Sequence, residues 1–191
     1  KQKVIDRVVG LKQNGFKILA GTTGNSLKET IALSQYAEQK GVDAIVLAPR
    51  YETYLPVVEY VKGVMHNTNV PVVLYNNPFI TNGVHVDAAH ATMLLAHPKY
   101  KSRIVGFKDS SGNRISITTL LYVRSMFDWF SVFQGNEQGL IENPSAEVDG
   151  FVTGSAIFDP QLFLRVYDII KTGRTVSAQD INTLNNYVAA Y

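Results

Sequence analysis

The 191-residue chain contains no cysteine, which excludes a disulfide framework, a thiolate nucleophile and a cysteine-based zinc site, and suits a reducing compartment. It also lacks any apolar run near the roughly 18 residues a membrane span needs. Lys1 to Gly10 have no apolar centre of the kind that marks a signal peptide. The expectation is a cytoplasmic protein without a membrane partner. Charge of one sign is never gathered into a run: 18 basic and 16 acidic residues leave a net charge of +2, which argues against a nucleic-acid partner. An initiating methionine is missing too. The chain begins within an amphipathic pattern, Val4, Ile5, Val8 and Leu11 lying three or four apart, so a missing N-terminal part is expected. No linker or low-complexity segment divides it, and residues 1–191 read as a single domain with a helical extension over about 177–191.

What is present is an ordinary core-forming composition, 46% hydrophobic and 18% charged, enough to bury a sizeable interior. Short apolar runs recur at Phe16–Ala20, Ala44–Ala48, Val70–Leu74, Ile104–Phe107, Phe130–Phe133 and Phe151–Thr153. Each is apolar at successive positions rather than alternate ones, as parallel strands buried on both faces require. Amphipathic stretches fill the gaps: Ile31, Leu33, Tyr36 and Ala37; Leu55, Val58, Val61, Val64 and Met65; then Ala88–Ala96, Ile117–Met126, Asn136–Asn143 and Pro160–Ile170. Asp159 before Pro160 predicts an N-cap followed by a proline in the first helical position.

Six strand–helix units in succession imply a parallel sheet with right-handed crossovers, either an open doubly wound sheet or an eight-stranded barrel. A dinucleotide-binding open sheet would carry G-x-G-x-x-G after its first strand, and none is present. That absence favours the TIM (β/α)8 barrel, which six units can form only if the first two strands are lacking from this chain.

In either architecture the chemistry lies at the carboxyl ends of the strands. Ile104-Val105-Gly106-Phe107 runs directly into Lys108, a residue type seldom buried without a partner. One reading is a lysine that reaches solvent or pairs with Asp109. The other is an amine whose pKa is lowered by desolvation, free to attack a ketone and form an iminium. Tyr75 ends Val72-Val73-Leu74 and precedes Asn76-Asn77-Pro78, where the proline restricts the residue before it; its phenol either finds a structural hydrogen bond or moves protons for such an iminium. Tyr51, after Ala48-Pro49-Arg50, is a third candidate, although spacing alone reads it as a loop tyrosine. His85, His90 and His97 do not share one helical face, so no metal site is expected. Gly21 to Gly24 lack the Lys-Ser/Thr of a P-loop, and Ser110 and Ser111 read as helix caps.

With those residues in order, the sequence resembles the dihydrodipicolinate synthase and N-acetylneuraminate lyase family. Gly106-Phe107-Lys108-Asp109-Ser110-Ser111-Gly112 is similar to its Schiff-base lysine segment, and Tyr75-Asn76-Asn77-Pro78 to its Tyr-Asn-x-Pro motif. Leu19 to Asn25 and Ala48-Pro49-Arg50-Tyr51 resemble the ends of strands three and four. Phe133-Gln134-Gly135-Asn136-Glu137 and Gly150 to Ser155 resemble those of strands seven and eight. The resemblance implies a barrel with extra C-terminal helices, assembled as a homo-oligomer, dimer or tetramer, and needing no cofactor. It implies Lys108 as the Schiff-base former, Tyr75 as the proton relay and Tyr51 as a tyrosine reaching across a dimer interface. Gly135 and Val152 would line the pyruvate pocket, and Asn136, Glu137 and Thr153 would meet the substrate tail.

Departures refine this. The family binds pyruvate's carboxylate with a Thr-Thr pair at the end of strand two. Gly21-Thr22-Thr23-Gly24 fits strand three instead, because the next helix and the run Val42 to Pro49 suit the passage from strand three to strand four. The carboxylate-binding pair would then be missing. Ile80 stands where dihydrodipicolinate synthases carry an arginine, and Arg50 where many members have the first tyrosine of a pair. The implied function is a pyruvate-dependent Schiff-base lyase that cleaves or forms a 2-keto-3-deoxy sugar acid or related hydroxy-keto acid. Its partners would be pyruvate and an aldehyde or keto acid. The alternatives are dihydrodipicolinate synthase, condensing pyruvate with aspartate semialdehyde, and a non-catalytic barrel homologue.

Overall fold

The expected apolar runs all contribute strands to the computed structural model, which describes residues 1–50, 56–142 and 145–190. After α1 (Gln2–Gly10), strands and helices alternate: β1 (Leu19–Gly21), α2 (Leu27–Gln39), β2 (Ala44–Leu47), α3 (Val57–Asn67), β3 (Val72–Asn76), α4 (Ala88–Leu95), β4 (Ile104–Asp109). The pattern continues with α5 (Arg114–Met126), β5 (Ser131–Gln134), α6 (Glu137–Glu142), β6 (Gly150–Phe151), α7 (Pro160–Lys171) and α8 (Ala178–Ala189). Two compact units comprise residues 1–107 and 108–191, with the boundary inside β4.

In the first unit the strands lie in chain order, β1-β2-β3-β4. They pair in parallel, Leu19 with Ala44 and Ile45 with Val72 beginning the two registers. Ile45, Leu47, Val72 and Leu74 are fully buried on one face of the sheet, and Ala44 and Val73 are buried on the other, as expected of parallel strands. Helix α2 presents Thr30, Leu33, Ser34 and Ala37 inward, spaced three and four apart, and α3 presents Val58, Val61, Val64 and Met65. Ser26 caps α2 by accepting from the Glu29 amide at 3.1 Å, and Asp87 caps α4 in a reciprocal box with His90. Asp43, at the entry to β2, binds Lys12 at 2.7 Å, Lys17 at 3.2 Å and the Ile18 amide at 2.8 Å. These contacts, the Lys12 hydrogen bond foremost, hold its carboxyl well below the usual carboxylate range.

In the second unit the order is β4-β5-β6, with Phe133 opposite Gly150 and Gln134 opposite Phe151. Strand β6 stops at Phe151, short of the expected Thr153. Leu140, Leu162, Phe163, Val166, Ile170 and Leu184 form the core, joining α6, α7 and α8. Asp159 caps α7 through the Leu162 amide at 3.0 Å with Pro160 in the first turn, and Ser177 caps α8 through the Asp180 amide at 3.1 Å. No helix among the described residues is long and apolar enough to cross a membrane.

Candidate active site

Lys108 is the penultimate residue of β4 and Tyr75 the penultimate residue of β3. Both are half-buried, at the carboxyl ends of their strands. In β4 the alternation of side chains separates Lys108 from Asp109. Asp109 is 3% exposed, and its carboxylate accepts from the Ser111 amide (2.9 Å), the Ser111 hydroxyl (2.7 Å) and the Ser116 hydroxyl (2.6 Å). That carboxylate ties the strand end to the first turn of α5, whose N-cap is Asn113, accepting from the Ile115 amide at 2.9 Å. The capping role expected of Ser110 and Ser111 is therefore corrected: Ser111 closes the turn onto Asp109, and Ser110 is buried with its hydroxyl unpartnered.

Gly135 follows β5 and lies against Lys108. Its amide donates to the Asp109 carbonyl at 2.7 Å. A Cβ at Gly135 would stand 2.6 Å from Lys108 Cε, 2.2 Å from Ser110 Oγ and 2.9 Å from the Asp109 carbonyl oxygen. Only glycine fits this approach, and its missing side chain is what gives the lysine stem its place. Val152 donates its amide to the Gln134 carbonyl at 2.9 Å, continuing the pairing of β5 and β6 past the last strand residue.

Asn136 and Glu137 already hold structural contacts. Asn136 Oδ1 accepts from the Gly139 amide at 2.9 Å, and Glu137 Oε1 accepts from the Ser155 amide at 2.8 Å. Thr153 is half-buried, and its hydroxyl, like those of Ser110 and Ser155, is shielded from solvent without a protein partner. Three orphaned hydroxyls after β4 and β6 are an expensive arrangement, about 1–3 kcal/mol each, unless a bound molecule satisfies them. Sequence reasoning did not find the unpartnered hydroxyls of Ser110 and Ser155, because hydrogen-bond satisfaction carries no periodic signal.

A cavity of about 450 Å³ opens on the other face of these strands, lined by Asp109, Gln134, Asn136 and the α5 residues Ile117, Thr118 and Leu121. Lys108 and Gly135 do not line it, in keeping with strand alternation.

In the first unit, Tyr75 Oη accepts a hydrogen bond from Asn77 Nδ2 at 2.8 Å. Thr22 and Thr23 are occupied: Ser34 Oγ donates to Thr22 Oγ1 at 2.9 Å, and Thr23 Oγ1 accepts from the Ala48 amide at 2.9 Å. Both hydroxyls stitch β1 to its neighbours. Ile80 is exposed in the loop beyond Pro78. Tyr51 lies outside the described residues. Of the three histidines weighed, His90 bonds to Asp87 at 2.6 Å and His97 packs its ring on Tyr100 at 4.5 Å.

The family model for the dihydrodipicolinate synthetase family matches residues 1–190. A probable 2-dehydro-3-deoxy-D-pentonate aldolase of Escherichia coli is 28% identical over 186 residues, covering 95% of this chain and 60% of that protein. A 4-hydroxy-tetrahydrodipicolinate synthase of Methanococcus maripaludis is 29% identical over 185 residues, covering 95% of this chain and 61% of its own length. Among solved structures, YagE, an Escherichia coli prophage protein in complex with pyruvate, superposes with a TM-score of 0.80. It is 25% identical, with 97% of this chain and 60% of YagE covered. The chain thus spans about 60% of the length of the curated relatives it matches. A family match from end to end, a parallel α/β architecture shared with solved members and a lysine seated against a glycine at a strand end agree: the chain belongs to the dihydrodipicolinate synthetase family.

Proposed function

We propose that the protein is a class I, Schiff-base aldolase that releases pyruvate from a 2-keto-3-deoxy sugar acid or related hydroxy-keto acid, and joins pyruvate to an aldehyde in reverse. The observation that carries this reading is the approach of Gly135 to Lys108, which leaves the lysine stem room at the end of β4. The Lys108 amine attacks the ketone carbon, and the carbinolamine loses water to give an iminium. A proton leaves the C4 hydroxyl, the C3–C4 bond breaks, and its electron pair passes into the iminium as an enamine while the aldehyde departs. Protonation at C3 and hydrolysis then release pyruvate and free Lys108.

Tyr75 is the group proposed to carry these protons, supported by its place at the end of β3 and its fit to the family motif. Tyr51 is proposed to assist from a neighbouring subunit of a dimer or tetramer. Gly135 and Val152 would line the pyruvate pocket, and Asn136, Glu137 and Thr153 would face the sugar tail. The orphaned Thr153 hydroxyl favours such a polar tail. Dihydrodipicolinate synthesis is the second reading, favoured by the synthase among the relatives and opposed by Ile80 in place of an arginine. The barrel of eight strands, the cytoplasmic location and the absence of a cofactor belong to the same proposal.

Borohydride added to the full-length protein with pyruvate should attach one reduced pyruvate to Lys108, located by peptide mass mapping. A folded protein whose mass is unchanged would refute the Schiff-base reading. A panel of keto-deoxy acids and aspartate semialdehyde then separates the two substrate classes.

A further inference from the structure

Beyond the family motif, whose third position is unspecified, this chain places an asparagine with a defined job. Asn77 lies two residues past Tyr75, and an extended backbone puts such residues on one side. Its amide Nδ2 reaches the phenol oxygen at 2.8 Å. The backbone of Asn77 is held from several directions. Pro78 restricts it, its carbonyl accepts from Thr81 Oγ1 at 2.9 Å and from the Ile80 amide at 3.1 Å, and Thr81 Oγ1 also reaches the Val84 carbonyl at 2.9 Å. Thr81 is itself buried. The far side of the loop is fixed by Gly83 donating to the Pro78 carbonyl at 2.9 Å and by Val86 donating to Asn76 Oδ1 at 3.1 Å.

A phenol oxygen both donates and accepts, and conjugation keeps its O–H near the ring plane, with two orientations. An amide hydrogen delivered to one side of the oxygen excludes the hydroxyl hydrogen from that side. We propose that Asn77 is a positioning residue for Tyr75: its donated N–H fixes the phenol's own proton on the side away from the amide, giving the relay a direction. This rests on the reading of Tyr75 as the proton relay and adds the third group that orients a catalytic acid or base. Asn77 Oδ1, buried and without a protein partner, is consistent with an amide committed to donation rather than to a structural acceptor role.

The test needs pyruvate alone. An enzyme-bound pyruvate iminium that loses and regains a methyl proton exchanges it with deuterium oxide, which NMR follows, while borohydride reports how much iminium is present. In the full-length protein, Asn77→Leu should slow methyl exchange about tenfold or more while trapped iminium at saturating pyruvate stays within about twofold. Asn77→Asp, of equal size but able only to accept, should be slowed at least as much. If Asn77→Leu does not fold, as judged by circular dichroism, Asn77→Asp carries the test. In a Tyr75→Phe background, loss of the Asn77 amide should add less than about twofold, because residues acting through one group are not additive. Equal slowing in both backgrounds, or parent-like exchange in both Asn77 variants while Tyr75→Phe is impaired, overturns the proposal. Parent-like exchange in Tyr75→Phe instead removes the relay, and the role of Asn77 falls with it.

Discussion

The polar ends of β1 and the polar residues after β4 and β6 are made of the same side chains used differently. After β1, Thr22, Thr23 and Thr30 all have hydrogen-bond partners: Ser34, the Ala48 amide, and jointly the Gly24 amide and Tyr60 hydroxyl. After β4 and β6, Ser110, Thr153 and Ser155 have buried hydroxyls with none. A satisfied hydroxyl stabilises the fold, whereas an orphaned one costs free energy that a ligand can recover. The threonine pair resembling a binding motif is thus structural, whereas the hydroxyls after β4 and β6 are left without a protein partner.

The largest effect expected is on the relay. Tyr75→Phe should lower pyruvate methyl exchange by about a hundred- to ten-thousand-fold, the usual contribution of a positioned acid or base, with the melting temperature little changed. Next comes Gly135→Ala, whose methyl must displace Lys108 Cε and the Asp109 carbonyl. Misplacement by about 1 Å costs roughly a hundredfold, so pyruvate-dependent borohydride labelling should fall by that order.

Two substitutions at fully buried positions separate a satisfied hydroxyl from an orphaned one. Thr30→Val leaves the Gly24 amide and the Tyr60 hydroxyl short of a partner and should cost ~2–3 kcal/mol in urea unfolding. Ser155→Ala removes a hydroxyl that has none and should be within ~0.5 kcal/mol of the parent or more stable. Equal losses at the two positions would show that the contrast between the strand ends has no energetic content.

The smallest effect concerns Asp43. Its carboxyl is depressed in the folded state, so its contribution is present above the unfolded carboxylate pKa of about 3.9 and is lost as pH falls toward the folded value. Thermal melts of the parent and Asp43→Asn should differ modestly at pH 7 and converge as the pH drops below about 4. Because the pair with Lys12 and Lys17 is solvent-accessible, added salt should also narrow the gap.

Much of this was legible in the sequence because strand and helix formation are local and periodic. The apolar runs gave strands, and Asp159-Pro160 gave the start of α7, since capping depends on residues within one turn, while the helical extension expected over about 177–191 is α8. Helix α5 begins at Arg114, three residues before the expected Ile117, because Asn113 sets the start by accepting from the Ile115 amide. The lysine and tyrosine at successive strand ends were visible as breaks in apolar runs, and the family motifs identified them.

What the sequence determined by itself is therefore the order of elements, the family and the two residues on which the proposed chemistry turns, all readable from neighbours a few positions apart. Tertiary structure alone decided which hydroxyls are satisfied, that Asp109 binds Ser111 and Ser116 at the start of α5, and that Gly135 must be glycine to clear the lysine. It also decided that the Asn77 amide meets the Tyr75 phenol. The physical reason is range. Hydrogen-bond satisfaction and van der Waals clearance depend on atoms within about 3–4 Å, and for Gly135 and Lys108 those atoms belong to residues far apart in the chain.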